Sequence, residues 1–293
     1  MAKYISAKQI LLPAKGAGTG SNIFGIRYSM NCYRGCQHGC IYCDTRSDCY
    51  RVPSFNDVEV KINAVDLLRK ELAAKRTKGT VGTGSMHDPY MPLEIQEKLT
   101  RHTLEVLSDF HFPVHIMTKS NLVLRDLDVL KQLSNVYAAV TFTITTVRND
   151  LSLLLEPNAP ESSQRFQAMK ALASKGILTG ISMMPVLPWI TDHWSHIRLL
   201  VEKATDYGAS YILNAGMGMT LRQGQREFFY RKLDNKFPGM RQKYEKAYGN
   251  NYYAYVEKGE EISGRFHALC DKLGIAVKIP TYEETLPIQR TLF

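Results

Sequence analysis

The chain has 293 residues, of which 44% are hydrophobic and 22% charged, a balance that is typical of globular proteins. This length can bury a large core, as one α/β domain or as two smaller domains. The formal net charge of +9 favours a polyanionic partner but also suits many ordinary enzymes. No apolar run approaches the roughly 18 to 20 residues that cross a bilayer. The first twenty residues lack a signal-peptide pattern, so we expect a soluble cytoplasmic protein without membrane contact.

Strand and helix patterns alternate from about residue 23 to residue 218. The six predicted strands lie near 23–30 and at 79–85, 113–120, 136–146, 177–188 and 209–218. Predicted helices occupy 63–76, 93–110, 124–134, 162–176 and 195–208. Such alternation indicates parallel strands with crossover helices, as an open sheet or as a full or partial barrel. Both architectures place functional loops at the carboxyl ends of the strands.

Four of the six cysteines lie in "YRGCQHGCIYCDTRSDCY", residues 33 to 50. Because the cytosol keeps thiols reduced, clustered cysteines there usually bind metal or perform chemistry. Cys36, Cys40 and Cys43 follow the pattern C-x3-C-x2-C on a loop after the first predicted strand. Three thiolates can hold three corners of a [4Fe–4S] cluster, which leaves one iron open to a chelating small molecule.

Two alternatives to the open cluster use further residues of the same segment. One is a zinc site completed by His38, Cys32 or Cys49, although structural zinc sites usually pair two C-x2-C knuckles. The other is a closed electron-transfer cluster with Cys32 or Cys49 as its fourth ligand. Cys270 lies inside a helical pattern and is expected to be a core residue.

At these residues the sequence resembles a known family. "CQHGCIYC" resembles the signature of radical S-adenosylmethionine (AdoMet) enzymes, C-x3-C-x-aromatic-C, with Tyr42 as the aromatic residue. The segments "GTGSMHDPYMPLE", "IMTKS", "TFTITT" and "EPNAP" resemble the branch related to spore photoproduct lyase, which is often labelled DNA repair photolyase-like. The resemblance covers about residues 20 to 220. It implies a partial, TIM-like (β/α)6 barrel, a [4Fe–4S] cluster and AdoMet, which is cleaved to a 5′-deoxyadenosyl radical.

The resemblance also implies contacts to AdoMet. Lys119, in "TKS", matches the family lysine that meets the methionine carboxylate. We expect Ser85 to contact the same carboxylate and Thr143 to reach the ribose, although buried hydroxyls often only satisfy backbone groups. The metal ligands would be Cys36, Cys40 and Cys43.

Four other polar side chains have functional and structural interpretations. Asp88 is a candidate catalytic residue at the barrel mouth, or else a turn former before a proline. Tyr42 is a candidate catalytic relay and cofactor contact, or a shield for the cluster. Arg165 lies on a helical pattern and is expected to be a surface charge or a helix-cap charge. The sequence does not decide whether Glu156 faces the site.

The chain departs from spore photoproduct lyase at two positions. In that enzyme a cysteine after the second strand returns a hydrogen atom to the substrate radical, and Ser85 stands at the corresponding place here. The tyrosine that follows the third cluster cysteine is Asp44 here. A serine O–H is a poor hydrogen-atom donor, so the thymine-dimer reaction is not carried over to this chain.

The region after the barrel carries a second signal. Residues 221–255 contain eight basic and three acidic residues with nine aromatic ones, a composition that favours single-stranded or distorted nucleic acid. Phe229, Leu233 and Phe237 repeat every four residues and are expected to pack as a core stripe. We therefore expect a core-packing helix pair with a basic outer face.

These observations predict a barrel over 1–220, a helical extension over 221–285 and a tail over 286–293. The leading hypothesis is a radical AdoMet enzyme that acts on DNA or another nucleic acid in a repair-like, lyase-related reaction, with a reductant such as flavodoxin or ferredoxin. A second hypothesis changes the substrate to a peptide or small metabolite. A third is a non-catalytic, metal-stabilised nucleic-acid-binding module, which requires a closed metal site.

The tail "PIQRTLF" predicts a partner. Gln289, Leu292 and Phe293 resemble the Q-x-x-L-F peptide that docks repair proteins on the bacterial sliding clamp, although an apolar tail can also pack on its own domain. A fluorescent peptide of residues 284–293 should bind a bacterial clamp at micromolar affinity, because Leu-Phe fills an apolar pocket and the glutamine anchors it. Anisotropy titrations measure this, and equal binding by the Gln289→Ala and Phe293→Ala peptides would refute it.

Overall fold

A computed structural model describes residues 2–14, 16, 22–52, 55 and 57–284. The strands are β1 Lys3–Ile5, β2 Leu11–Pro13, β3 Tyr28–Met30, β4 Tyr33–Arg34, β5 Glu59–Lys61, β6 Val81–Thr83, β7 Val114–Thr118, β8 Ala138–Thr143, β9 Leu178–Ser182, β10 Tyr211–Leu213, β11 Gly218–Thr220 and β12 Tyr253–Tyr255. The helices are α1 Ala64–Ala73, α2 Glu94–Glu97, α3 Leu99–Asp109, α4 Leu127–Ser134, α5 Asn149–Leu155, α6 Ser162–Ala173, α7 Trp194–Asp206, α8 Gln225–Lys236, α9 Met240–Tyr248 and α10 Gly259–Leu273. Within these ranges no helix is long and apolar enough to span a membrane.

The central sheet has seven strands in the order β10-β9-β8-β7-β6-β3-β2. Strands β3 and β6 to β10 run parallel, and β2 joins the edge antiparallel to β3. Helices connect the parallel strands, as expected for crossover units. The six predicted strands and the partial (β/α)6 barrel are confirmed.

The predicted helix over 93–110 is interrupted at one residue. Lys98 has φ +50°, the left-handed region, and it separates α2 from α3. The apolar positions keep their helical spacing after this break, and Leu99, Leu104 and Leu107 all face the core. Periodicity therefore identified the buried face but could not reveal the break in the backbone.

Side chains fill the barrel interior near the amino ends of its strands. His115 on β7 contacts Thr141 on β8 through Nε2 at 2.6 Å, and Thr141 contacts the Tyr211 hydroxyl at 2.6 Å. On β9, Gly180 leaves room for the Tyr211 ring, since an added Cβ would lie 2.4 Å from it. Burial of these groups closes this end, so the open end lies at the carboxyl ends of the strands.

The C-terminal region supports the cysteine segment. Helices α8 and α9, here called the basic helix pair, contribute Phe229, Leu233 and Tyr244 to a core cluster that also contains Ile41. Phe237 is half-buried against this cluster, so the predicted core stripe is confirmed. Strands β11 and β12, which flank the basic helix pair in the sequence, form an antiparallel pair, here called the aromatic strand pair.

The last described helix returns to the barrel. Helix α10 packs against α7, and Ala276 makes a parallel bridge with Tyr211 on β10. The predicted extension thus includes an element that lies against the barrel edge. The clamp-binding residues Gln289, Leu292 and Phe293 lie outside the described residues, so that interaction stays a prediction.

A buried carboxylate joins β4 to the segment after β6. Glu94 is fully buried and accepts hydrogen bonds from the Tyr33 hydroxyl and from the backbone N–H of Thr100 at 3.0 Å. Arg125 Nη2 lies 2.7 Å from Glu94 Oε1. Because three different elements meet at this carboxylate, it holds Tyr33, just before the cysteine loop, against α3 and Arg125.

Replacing Glu94 by alanine should lower the free energy of unfolding by roughly 3–5 kcal/mol, because buried hydrogen-bonding groups and part of a buried charge lose their partner. Urea denaturation of the apoprotein, followed by circular dichroism, measures this. Glu202 pairs with Arg198 at 3.6 Å on exposed α7, and Glu202→Ala should cost less than about 1 kcal/mol. Equal losses in the two variants would contradict the proposed role of Glu94.

Candidate functional site

One cavity at the open end of the barrel brings together all of the predicted site residues except Tyr42. It is lined by the three predicted ligands and by residues from the exits of β6, β7 and β8, namely Cys36, His38, Gly39, Cys40, Cys43, Thr45, Phe55, Gly84, Ser85, Met86, His87, Asp88, Met117, Thr118, Lys119 and Thr143. Parallel strands deliver these exits to the same edge. Residues from three of the strand exits therefore lie around one cavity.

Residues 35–43, the cysteine loop, are held by backbone hydrogen bonds to distant segments. The N–H of Cys36 donates to the Phe55 carbonyl at 2.9 Å, and the N–H of Ile41 donates to the Leu155 carbonyl at 2.9 Å. The N–H of Asn158 donates to the His38 carbonyl at 3.1 Å. These bonds fix the backbone of the loop independently of any bound group.

The cysteine sulfurs lie in a desolvated setting. Burial raises the pKa of the Cys36 thiol to about 12, and the Asp88 carboxylate adds to that rise. The backbone N–H groups of His38 and Asp88 act in the opposite direction, because they stabilise a thiolate. Burial also raises the pKa of Cys40, against the attraction of Lys119. A metal that replaces the thiol protons is therefore needed to make these groups thiolates.

The three predicted thiol ligands share one cavity. Among the described residues, no three His, Cys, Asp or Glu side chains are gathered closely enough to hold one metal ion. A structural zinc would require such a compact tetrahedral set. Cys36, Cys40 and Cys43 nevertheless line one cavity, so each could hold a different iron of a cluster.

The two remaining cysteines of the segment lie away from this cavity. Cys32 is buried in the main core beside Thr103, with Sγ 3.8 Å from Thr103 Oγ1. Cys49 is exposed, and Arg222 Nη1 lies 3.7 Å from its sulfur. Neither residue lines the cavity, so neither is placed as a fourth ligand. Cys270 is buried in the core, as expected.

Asp88 joins three segments around the cavity. Its Oδ1 accepts from Thr118 Oγ1 at 2.7 Å and from the Tyr90 N–H at 2.9 Å. Its Oδ2 accepts from the Lys119 N–H at 2.6 Å and lies 3.2 Å from His38 Nε2. Burial opposes ionisation, but His38, Lys119 and Thr118 together hold the pKa of this carboxyl below its ordinary value. Asp88 is thus both a turn former and a link between β7 and the cysteine loop.

Tyr42, Glu156, Arg165 and Lys119 form a second group. The Tyr42 hydroxyl donates to Glu156, whose other oxygen lies 2.5 Å from Arg165 Nη1. The Lys119 ammonium lies 5.9 Å from the centre of the Tyr42 ring. Burial lowers the pKa of Lys119, but Cys40, Glu156 and Asp88 outweigh it, so the net shift is upward. Lys119 therefore presents a charged ammonium to the cavity.

Ser85 and Thr143, the two hydroxyl residues predicted to contact AdoMet, both line the cavity. Ser85 is exposed, and Thr143 is half-buried at the end of β8. Between β6 and Ser85, Gly84 has φ +99°, and an added Cβ would lie 2.0 Å from the Met117 carbonyl oxygen. This close approach of two backbones requires glycine and sets the direction in which the loop leaves β6.

His87 is a buried residue without an internal partner. It is only 4% exposed, and neither ring nitrogen has a hydrogen-bond partner among the described residues. Burial lowers its pKa to about 3, although Asp88 acts in the opposite direction, so the ring is neutral near pH 7. An unsatisfied buried polar group costs about 1–3 kcal/mol, and in native structures it calls for an explanation.

Sequence reasoning missed part of this site. The expectation that Arg165 lies at the surface is wrong, because the side chain is fully buried, with Nη1 3.0 Å from the Thr143 carbonyl oxygen and Nε 2.8 Å from that of Pro160. An arginine on a helical pattern carries no sign of such a partner. Glu156, which the sequence left undecided, does not line the cavity and is held by Tyr42 and Arg165. His87 gave no signal beyond its place beside Asp88.

Comparison with known proteins gives relatives over most of the chain. An uncharacterized protein of Methanocaldococcus jannaschii is 35% identical over 191 residues, which cover 64% of this chain and 68% of the relative. An uncharacterized protein of Mycobacterium tuberculosis is 28% identical over 282 residues, which cover 92% of this chain and 82% of the relative. These similarities indicate common descent without supplying an activity.

Solved structures show the same fold. Two variants of spore photoproduct lyase align with TM-scores of 0.70 and 0.69 at 14% identity, and each alignment covers 95% of this chain and 81% of the lyase. One of them contains bound AdoMet and dinucleoside spore photoproduct. The sequence model of the Radical SAM superfamily matches residues 30–200, which include the whole cysteine loop and the strand exits around the cavity. This chain belongs to the Radical SAM superfamily.

Proposed function

We propose that this protein is a radical AdoMet enzyme whose substrate is a nucleic acid, most simply a single-stranded or distorted DNA segment. The observation that carries the proposal is a basic and aromatic surface joined directly to the cysteine loop. The repair-like, lyase-related chemistry inferred from the sequence belongs to the same proposal.

The cofactors of the family are a [4Fe–4S] cluster and AdoMet. When bound, they supply one-electron cleavage of the AdoMet sulfonium to a 5′-deoxyadenosyl radical. We assign Cys36, Cys40 and Cys43 to the cluster and the Lys119 ammonium to the AdoMet carboxylate. We expect Ser85 to add a hydroxyl contact to that carboxylate and Thr143 to contact the ribose.

The roles of Tyr42 and Asp88 follow from their contacts. The Tyr42 hydroxyl is engaged by Glu156, and Arg165 holds Glu156 in turn. We assign Tyr42 to a supporting role beside Lys119, whose ammonium lies 5.9 Å from the centre of its ring. Asp88 has both oxygens engaged by protein groups, so we assign it to positioning Lys119 and His38 rather than to contact with the substrate.

The basic helix pair carries more positive charge than its own carboxylates neutralise. All three acidic residues of 221–255 are paired, Glu227 with Arg226, and Asp234 and Glu245 with Arg241. Among the described residues, no carboxylate lies within 4 Å of the ammonium groups of Lys243 or Lys246. Unpaired surface cations of this kind bind phosphates through counterion release.

Exposed aromatic rings accompany these charges. Tyr252 and Tyr255 are 59% and 70% exposed. The Tyr253 and Tyr255 ring centres lie 4.5 Å apart on the aromatic strand pair. Lys243 lies 4.3 Å from the centre of the Trp189 ring. Exposed rings beside cations are the elements with which proteins stack and hold unpaired bases.

Hydrogen bonds and an ion pair connect the aromatic strand pair and its flanking residue Arg222 to the end of the cysteine loop. Thr220 on β11 donates to Asp44 Oδ1 at 2.8 Å, and Asp44 directly follows Cys43. Arg222 Nη1 lies 3.2 Å from Asp44 Oδ2. A nucleotide held on this surface would therefore lie beside the residues that we assign to the cluster.

The proposed reaction differs from that of spore photoproduct lyase. Apart from the three proposed ligands, no thiol lines the cavity in the described part of the chain, and Ser85 occupies the place of the hydrogen-donating cysteine. A substrate radical formed here would need another hydrogen source, and the methyl group of 5′-deoxyadenosine, the product of the first hydrogen abstraction, would be such a source. We therefore propose the nucleic-acid class of substrate without the thymine-dimer reaction.

Anaerobic reconstitution with iron and sulfide should give about four iron atoms per chain, and dithionite with AdoMet should then yield 5′-deoxyadenosine. Cys40→Ala should abolish both results, because one corner of the cluster loses its ligand. Cys32→Ala and Cys49→Ala are the controls and should keep both. Iron and sulfide assays with mass spectrometry measure the outcome. Loss of the cluster in either control would show a closed site and favour the binding-module hypothesis.

Tyr255→Ala should weaken binding of a single-stranded oligonucleotide about fivefold or more, because a stacked base contributes about 1–3 kcal/mol. Fluorescence anisotropy at low salt, with the cluster intact, measures the affinity. Tyr4→Ala removes a tyrosine that is 58% exposed on β1, and it should leave binding unchanged. The pair Lys243→Ala and Lys246→Ala should also reduce the salt dependence, by about 0.7 in slope per lost phosphate contact. No binding of any DNA tested would overturn the nucleic-acid proposal while leaving the cluster chemistry intact.

A further inference from the structure

The buried ring of His87 has a place in the cavity but no partner in the protein. Its two nitrogens are shielded from solvent and lack hydrogen-bond partners within the described ranges. Since the ring lines the cavity of the three proposed ligands, the missing partner belongs to what the cavity binds. The other buried histidines of the described ranges each have a polar neighbour: His38 Nδ1 lies 3.3 Å from the Asn158 carbonyl oxygen, and its Nε2 lies 3.2 Å from Asp88 Oδ2. His115 contacts the Phe24 carbonyl oxygen at 2.9 Å and Thr141 Oγ1 at 2.6 Å.

Two observations place His87 on the cluster side of the cavity. The backbone N–H of Asp88, which belongs to the peptide bond that follows His87, is directed at the Cys36 sulfur. The His87 ring packs edge-on against Tyr33, with centroids 5.5 Å apart, and Tyr33 lies three residues before Cys36. Ser85, two residues earlier, is exposed at the cavity mouth, whereas His87 is buried. The loop thus runs from solvent at Ser85 down to the first ligand.

The ring is also held in a fixed position. The Tyr33 hydroxyl donates to Glu94, and Glu94 is bound by Arg125 at 2.7 Å. On the other side, Asp88 is fixed by Thr118 and Lys119. The ring therefore packs against an anchored tyrosine, and its peptide bond leads into an anchored aspartate. These contacts hold the ring nitrogens in a buried position beside the cavity.

We infer that His87 donates a hydrogen bond from a ring nitrogen to a sulfur of the [4Fe–4S] cluster, either a sulfide or the Cys36 thiolate, and thereby raises the reduction potential of the cluster. The reduced cluster carries one more negative charge, so an N–H donor stabilises it more than the oxidised cluster. The desolvated surroundings strengthen that interaction. The inference rests on the cluster of the family and is independent of the nucleic-acid substrate.

The decisive experiment compares His87→Leu and His87→Gln in the reconstituted, AdoMet-free protein by redox titration followed with electron paramagnetic resonance. His87→Leu removes the donor and should lower the ratio of reduced to oxidised cluster at a fixed solution potential about tenfold, which corresponds to about 59 mV for one electron. His87→Gln keeps an N–H donor and should recover part of this shift. His115→Leu is the control for the loss of a buried histidine, and it should leave the potential unchanged.

A spectroscopic measurement keeps the inference testable if a variant binds little cluster. Wild-type protein labelled with histidine that carries 15N only in the imidazole ring should show a 15N coupling to the reduced cluster in pulsed electron paramagnetic resonance, and His87→Gln should lose it. An unchanged potential in His87→Leu, together with a 15N coupling that persists in His87→Gln, would overturn the inference. Unchanged potentials with AdoMet binding weakened at least tenfold would also overturn it and would assign His87 to AdoMet.

Discussion

The ionised carboxylate of Asp88 is the constraint on which the site depends. Its oxygens receive the N–H of Tyr90, the hydroxyl of Thr118 and the N–H of Lys119, and they approach His38 to 3.2 Å. The exits of two barrel strands and the cysteine loop therefore converge on one side chain. Because these contacts favour the charged form, the carboxylate stays ionised although it is buried. Removing it would release Lys119, the loop after β6 and the cysteine loop together, which is why we regard it as a positioning residue.

The charges around the cavity have a consistent arrangement. Glu156 is held between Tyr42 and Arg165, and all three side chains are buried, so the carboxylate is neutralised where water cannot screen it. Lys119 is then left with its ammonium in the cavity and no carboxylate within 4 Å among the described residues. A cluster with thiolate ligands and a carboxylate on AdoMet are both anionic. The protein thus supplies a cation where the two would meet, without a competing internal ion pair.

The sequence predicts the barrel and the three ligands because both depend on local patterns. Apolar periodicity and the spacing of the cysteines survive without knowledge of tertiary contacts. Arg165 and Glu156 could not be paired in advance, because nine residues separate them and only the fold turns the arginine inward. His87 is even harder to single out from the sequence. What distinguishes it is that its buried ring nitrogens lack hydrogen-bond partners, and only the three-dimensional structure can show this. Likewise, the aromatic residues of α8 were predicted as core, but the cysteine loop could not be named as what they pack against.

The contacts of Asp44 explain how one surface could both bind a substrate and support the cluster. Asp44 follows Cys43 and binds Thr220, Tyr50 and Arg222. This aspartate, which stands where spore photoproduct lyase has a tyrosine, therefore joins the cysteine loop to the aromatic strand pair. Arg222 lies 5.0 Å from the centre of the Tyr252 ring while it pairs with Asp44. A phosphate that recruited Arg222 would have to compete with Asp44 and would loosen the cysteine loop. In the proposed complex, phosphate contacts would therefore be made by unpaired lysines such as Lys243 and Lys246, while Arg222 links the aromatic strand pair to the cysteine loop.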